Sequence, residues 1–313
     1  MDITACGGGY EGTCRFPVNP SPGAAGSSLA HREKVPRKGA GEGSFANSIT
    51  PDGASSVPST MMPASPQRSV KKTIGLSIFR IRNLGKARFE CPICGYRGPF
   101  QDLDLPTGFR KHAQCPDCES LERHRLQYVA LQSILAPLNT AKLTMLHFAP
   151  EAFFRSFFAE RFAEYQTADI EMTSVDHTVD LQKLPFPDAS YDFVFASHVL
   201  EHVPDDRRAI QQIRRILRPG GVAVLPVPIV CEKTIEYAEP DPNESYHVRA
   251  PGMDYFDRYE SCFARVHRIG SDSLPEKYQP FVYEDRRGLP PRKFPRHELP
   301  GGRFIDIVPV CYV

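Results

Sequence analysis

Tyr191 to Ala196 reads YDFVFA, a short and nearly continuous apolar run of the kind a strand shows when a parallel sheet is covered on both faces. Asp205 to Leu217 then places Ile210, Ile213, Ile216 and Leu217 at helical spacing, with Arg207, Arg208, Arg214 and Arg215 largely on the opposite side. Pro219, Gly220 and Gly221 predict the end of that helix, because glycine tolerates the left-handed C-terminal conformation and proline cannot continue the ladder. Gly221 to Val227 reads as the next buried strand. Two parallel strands joined by a helix make a right-handed βαβ unit, so the pattern predicts an open α/β sheet.

The rest of the chain divides by composition. Residues 1–67 are dominated by Gly, Ser and Pro and carry few large apolar side chains, too little apolar surface to offset the entropy of ordering, so they are expected to be disordered. Residues 68–88 carry Arg68, Lys71, Lys72, Arg80, Arg82, Lys86 and Arg88 without an acid, and read as a basic linker, either solvated or touching a polyanion. The net charge of +1 over 313 residues argues for no particular partner. No run of eighteen apolar residues predicts a spanning helix, and no apolar core follows basic residues at the N-terminus, so the expectation is no membrane and a cytoplasmic location, with organellar targeting by the N-terminal tail left open.

Four of the nine cysteines form Cys91-Pro-Ile-Cys94-Gly and Cys115-Pro-Asp-Cys118. Each CxxC wraps one face of a tetrahedral ion, and the loop between them has zinc-ribbon length, which predicts a structural Zn²⁺ held by four thiolates; a redox dithiol and a disulfide pair are the alternatives. Gly95 falls where the knuckle needs a positive φ. His112 and His124 lie near enough to be rival ligands, though four cysteines need neither. Cys6, Cys14, Cys231, Cys262 and Cys311 are scattered and read as reduced thiols. Glu119 to Leu135 reads as a helix tying the cysteine segment to the sheet-forming part of the chain, with Arg123, His124 and Arg125 expected in helix-to-domain salt bridges rather than on an anionic substrate.

The stretch LPFPDASYDFVFASHVLEHVPD, followed by ILRPGG, resembles the S-adenosylmethionine-dependent methyltransferases of the seven-stranded, Rossmann-like class, and the resemblance covers roughly residues 140–270. CPDCESLERHRL looks like the zinc-bearing N-terminal portion of one subgroup. The resemblance implies a mostly parallel seven-stranded sheet with helices on both faces over residues 140–313, preceded by a zinc ribbon and connecting helix over 89–136. Leu143 to Phe148 takes the place of the first strand, Ala149-Pro150-Glu151 its exit turn, Ala152 to Ala163 the next helix and Tyr165 to Asp169 the second strand. Implied cofactor contacts are His147, Phe148, Ala149 and Glu151 at that turn, Asp169 on the ribose hydroxyls, Asp180 and Leu181 on the adenine, and Ser197 at the fourth strand. Asp169 and Asp180 also have a simpler reading as turn-forming carboxylates. The chain departs from the family at HFAPE, which has no glycine where backbone normally approaches the ligand. Asp188 and Asp192 read as architectural.

His198 sits where the acceptor approaches the methyl group and is the candidate for substrate positioning or proton removal; its alternative is to shape the pocket wall. Glu201 and His202 read as structural. His198-Val-Leu-Glu201-His202 matches the HxxEH pattern of inverted zinc peptidases, but the segment leaves a strand and meets Pro204 almost at once, so it cannot place both histidines on one helical face. A substrate lid is expected near 231–260 and an exposed loop near 270–303, the latter carrying Arg286, Arg287, Arg292, Lys293 and Arg296. The function implied is methyl transfer to an unidentified acceptor: RNA through the zinc ribbon and basic linker, a small molecule, or a protein. The alternative is a non-catalytic nucleic-acid or protein binding module with a degenerate methyltransferase domain, for which the glycine-free turn is the support.

Overall fold

The structure is a computed structural model that describes residues 70–105, 108–285, 298–299 and 302–313. The expected tail over 1–67, with Cys6 and Cys14, lies outside the described residues, as do Arg68 and Arg286, Arg287, Arg292, Lys293 and Arg296.

Seven strands form the main sheet: β1 Thr144–Phe148, β2 Glu164–Asp169, β3 His177–Thr178, β4 Tyr191–Ala196, β5 Leu217–Val224, β6 Arg265–Gly270 and β7 Ile307–Tyr312. Their order is β6-β7-β5-β4-β1-β2-β3, with β7 antiparallel to both its neighbours and the other pairings parallel. The chain therefore leaves β1 toward one edge and returns to β4 on the other side of β1. This reversal opens a crevice beyond the carboxyl ends of β1 and β4, the position in which doubly wound sheets bind ligands. The expected Rossmann-like architecture holds.

Alternate residues of the central strands feed two cores. Met145, Phe193, Phe195, Val222, Val224, Val308 and Val310 pack against the helices Glu122–Leu135 and Ala152–Ala159. Leu146, Phe148, Val194, Ala196 and Ala223 face the opposite way, against Ile210, Ile213 and Ile216 of the helix Asp206–Ile216 and Phe256 and Tyr259 of the helix Phe256–Glu260. With Val70–Arg82 first in the chain, these helices are α1 (Val70–Arg82), α2 (Glu122–Leu135), α3 (Ala152–Ala159), α4 (Asp206–Ile216) and α5 (Phe256–Glu260). Asp188 and Asp192 are architectural as expected, pairing with Arg215 at 2.7 Å and Arg218 at 2.6 Å.

Pro219-Gly220-Gly221 does not stop α4. The helix already ends at Ile216, β5 starts at Leu217, and the pairing with β4 shifts register between Tyr191 and Phe193, so the Pro-Gly-Gly segment is a bulge inside the strand. Gly220 has φ +79°, and a Cβ on Gly221 would lie 2.8 Å from the Arg218 carbonyl oxygen.

Two expectations about the flanks are corrected. The basic linker is largely helix: α1 buries Leu76 against Cys91, Cys94, Tyr96, Phe100 and Cys115, and Lys72 pairs with Asp117 at 3.4 Å. The region expected as an exposed loop contributes a strand, Val282–Asp285, that pairs antiparallel with Gly108–Gln114 of the cysteine segment and extends the hairpin Gln101–Leu105/Gly108–Gln114 into a five-stranded sheet with Arg303–Phe304 and Glu298–Leu299. Val282 is buried beside Phe281.

Arg125, fully buried on α2, joins these pieces. Its guanidinium donates to the carbonyls of Ser120 (2.6 Å), Ala113 (3.0 Å), Gln279 (2.9 Å) and Tyr278 (3.0 Å), and stacks 4.5 Å above the Phe100 ring. Arg125→Ala is expected to lower stability by about 3 kcal/mol or more, since a buried carbonyl left without a donor costs about 1–3 kcal/mol. Arg125→Lys should recover little, because an ammonium cannot reproduce the planar fork. Urea unfolding midpoints check both.

His147 on β1 is also fully buried, hydrogen-bonded through Nδ1 to the Tyr165 hydroxyl at 2.9 Å and ringed by Phe158 and Phe195. Burial pushes its imidazole down to about 3. A histidine depressed on folding contributes stability that is fully present above its ordinary range near 6.5 and lost as pH falls below it. Unfolding free energy should therefore drop by about 1.4 kcal/mol per pH unit on this account as pH falls below about 6.5. Denaturation series at pH 7, 6 and 5 should show a shallower fall for His147→Phe.

Candidate active site and cysteine centre

The two CxxC knuckles fold alike. The Gly95 amide donates to the Cys91 carbonyl and the Glu119 amide to the Cys115 carbonyl, both at 2.9 Å. Gly95 takes φ +71° as its position requires, and Glu119 takes +63° at the matching place. Cys91 and Cys118 sulfurs lie 3.6 Å apart, as do Cys94 and Cys115, and all four lie within 4.8 Å of one another. Four thiolates about 2.3 Å from one tetrahedral ion would stand about 3.8 Å apart, so the donor set fits zinc. Hydrogen bonds from the neighbouring thiols, Cys115 foremost, hold the Cys91 thiol below its ordinary range. Neither histidine joins the cluster: His112 stacks near Phe89 and Tyr283, and His124 turns to Glu151. Cys231, Cys262 and Cys311 form no disulfide.

At the carboxyl end of β1 the glycine-free turn adopts the backbone of a glycine turn. Ala149 has φ +44°, and its amide donates to the Ala168 carbonyl at 2.9 Å. His198, just past the neighbouring β4, has φ +54°. Left-handed non-glycine residues cost of order 1–3 kcal/mol and persist where surrounding structure enforces them, often at functional sites. Here two of them flank one crevice.

Glu151 is gripped from α2. Its Oε1 accepts from His124 Nε2 at 2.8 Å and from Arg123 at 3.1 Å, so the expected helix-to-domain contact forms through Arg123 and His124, whereas Arg125 binds backbone carbonyls and no carboxylate. The Leu121 amide donates to His124 Nδ1 at 3.0 Å, placing the ring proton on Nε2. Burial alone would raise the Glu151 carboxyl, but the hydrogen bond from His124 and the charge of Arg123 outweigh it and hold it well below the usual carboxylate range. Its Oε2 is buried with no hydrogen-bond partner.

The other implied contacts are spread along the crevice and the core beneath it. Asp169 Oδ1 caps its own turn, accepting from the amides of Glu171 (2.7 Å) and Met172 (2.8 Å), and Asp180 Oδ1 does likewise from Gln182 at 2.8 Å. The two carboxylates leave the same sheet edge, because Asp169 pairs with Thr178 and its carbonyl accepts from the Val179 amide. Leu181 and Phe148 are buried in the core. Ser197 is buried, its hydroxyl donating to Gln127 Oε1 of α2 at 3.1 Å. The His147 side chain stands apart from this group, enclosed among aromatic rings.

His198 Nδ1 lies 3.1 Å from Oε1 of the fully buried Glu201. Burial raises the Glu201 carboxyl, but the His198 hydrogen bond and the neighbouring imidazoles more than offset it and leave it below the usual range. The HxxEH segment forms a short 3-10 turn at Leu200–His202, without the helical face a zinc peptidase needs. The segment expected as a lid contains a hairpin, Ile235–Asp241 with His247–Ala250. Arg249 pins it down by donating to the carbonyls of Leu200 (2.6 Å), Val203 (2.7 Å) and Pro204 (2.9 Å). This brings His247 against Glu201 and His202. Sequence reasoning separated those three, because a third donor contributed from a distant hairpin leaves no local spacing signal.

A model of the methyltransferase domain family matches residues 158–225, inside the 140–270 span that resembles the Rossmann-like methyltransferases. The chain is 46% identical over 54 residues to 27-O-demethylrifamycin SV methyltransferase of Amycolatopsis mediterranei (strain S699), covering 17% of this chain and 20% of that one. It is 39% identical over 59 residues to demethylmenaquinone methyltransferase of Staphylococcus epidermidis, covering 19% and 24%. The chain thus spans about a fifth of the length of the curated relatives it matches. Among solved structures it is similar to 1,6-didemethyltoxoflavin-N1-methyltransferase of Burkholderia thailandensis at 14% identity, 60% coverage of this chain, 77% of that one and a TM-score of 0.38. Residues 158–225 carry the sequence of a methyltransferase domain, set in a sheet whose own strand order is Rossmann-like.

Proposed function

We propose that the chain transfers a methyl group from S-adenosylmethionine, held in the crevice beyond β1 and β4, to an acceptor that enters under the Ile235–Ala250 hairpin. The observation that carries this reading is the ionised and half-satisfied Glu151 carboxylate, its Oε2 buried, beside the left-handed Ala149 turn. Bound S-adenosylmethionine would supply a methyl on a sulfonium, whose departure leaves a neutral thioether. Glu151 Oε2 would take the ammonium of its methionine part, Asp169 the ribose hydroxyls, and Asp180 with the Leu181 amide the adenine. Alignment in a closed crevice then supplies most of the acceleration. Because Glu201 is anionic, His198 carries its proton on Nδ1 toward Glu201, leaving Nε2 to orient an acceptor or accept its proton. The binding-module alternative drew its support from the missing glycine; Ala149 keeps the left-handed backbone path of a glycine turn while still carrying its Cβ.

The same proposal places a structural Zn²⁺ on Cys91, Cys94, Cys115 and Cys118, and RNA recruitment along the cysteine segment and α1, where Lys71, Arg82 and Arg88 are exposed. A structural ion here would substitute for a hydrophobic core too small to hold on its own.

Calorimetry with S-adenosylmethionine should give micromolar binding, weakened about 10- to 100-fold by Asp169→Ala, the range for losing charge-assisted bonds of about 1.5–3 kcal/mol. No heat from the wild-type protein overturns the reading. Cys115→Ser combined with Cys118→Ser should abolish zinc retention by elemental analysis and shift the thermal midpoint down by several degrees or more.

A further inference from the structure

A second cluster of metal-ligating groups lies between the β4 exit and the lid. Glu201 is fully buried; its Oε1 is engaged by His198, and its Oε2 has no hydrogen-bond partner. His202 buries Nδ1, also without a partner. His247 arrives from the hairpin, its ring centroid 4.7 Å from that of His202 and nearly perpendicular to it at 84°. One ligand atom from each of the three lies within 4.8 Å of the others. Apart from the four cysteines, no other such group occurs among the described residues.

Two buried polar atoms left empty in one place would each cost about 1–3 kcal/mol, and protein interiors rarely retain that. They are also held in position. Arg249, two residues from His247, clamps the turn carrying Glu201 and His202 through three carbonyls, while its Nε donates to Glu236 at 3.0 Å. Donor atoms bonded at about 2.0–2.2 Å to one ion stand about 3.3–3.6 Å apart in tetrahedral geometry, so small side-chain rotations close the set. Two imidazoles and one carboxylate suit first-row divalent metals and leave at least one coordination position open, unlike the closed set of four thiolates. His198 on Glu201 Oε1 is the outer partner that orients the carboxylate.

We propose that Glu201, His202 and His247 bind a divalent transition-metal ion, Zn²⁺ or Mn²⁺ by donor chemistry, at a site separate from the four cysteines. The open position takes an oxygen or nitrogen of the methyl acceptor; that extension rests on the methyl-transfer reading, whereas ion binding does not.

Equilibrium dialysis of the full chain against Zn²⁺ and against Mn²⁺, with metal counted per protein, tests it. The wild type should hold two zinc equivalents. The Cys115→Ser/Cys118→Ser pair should lose one of them, and Glu201→Gln or His247→Ala should weaken the other at least 100-fold. Cobalt(II) in the second site should show weak ligand-field bands without the intense thiolate charge transfer of the first. A wild-type stoichiometry of one, or a second equivalent unchanged by both substitutions, overturns the proposal. If Glu201→Gln fails to fold, His247→Ala on the hairpin and the wild-type count still decide. Calorimetry with S-adenosylmethionine on the same samples keeps the two readings apart: cofactor heat with one metal equivalent sinks the second site alone, and two equivalents without cofactor heat sink methyl transfer alone.

Discussion

The guanidinium of Arg125 is the contact on which the arrangement of the molecule depends. It reaches carbonyls of the cysteine segment on one side and of the Tyr278–Gln279 turn on the other, Gln279 lying 154 residues from Arg125 in sequence. Few side chains could do this. Five donors fixed in a plane satisfy several buried carbonyls at once, and the aromatic face of Phe100 covers the remaining cation surface. With α2 anchored there, Arg123 and His124, on the turn before it, reach Glu151 at the β1 exit. The cysteine segment, the connecting helix and the crevice are thus parts of one construction.

Arg249 performs the corresponding task at the hairpin Ile235–Asp241/His247–Ala250. It is buried, it binds the carbonyls of the turn after β4, and it shares Glu236 and Asp206 with Arg258. Tyr255 adds a hydroxyl bond to Asp206 at 2.6 Å. A hairpin fastened in this way is no loose flap, and that fastening is what lets a histidine on it meet groups at the end of the sheet.

The sheet was readable because buried parallel strands need unbroken apolar runs and their crossover helices need a 3.6-residue stripe, and both patterns are local. The two knuckles were readable for the same reason: ligand spacing within each is fixed by two residues. Reading failed where distance along the chain was long. Val282–Asp285 carries no sign that it will pair with Gly108–Gln114, and Glu201 and His202 looked structural while their third companion lay on another element. Pro219-Gly220-Gly221 misled for a different reason, since the residues that end a helix also make a strand bulge, and only the neighbouring strand's register distinguishes them. The glycine-free turn was legible as a departure, but not its resolution, because alanine at φ +44° is imposed by its surroundings rather than preferred.

The pairing of Val282–Asp285 with the cysteine hairpin also bears on the order in which the protein matures. Synthesis proceeds from the N-terminus, so the knuckles emerge long before the strand that completes their sheet, and that edge waits open until most of the Rossmann-like layer has been made. During that interval an ion seated between the knuckles would be the local restraint holding the hairpin in shape.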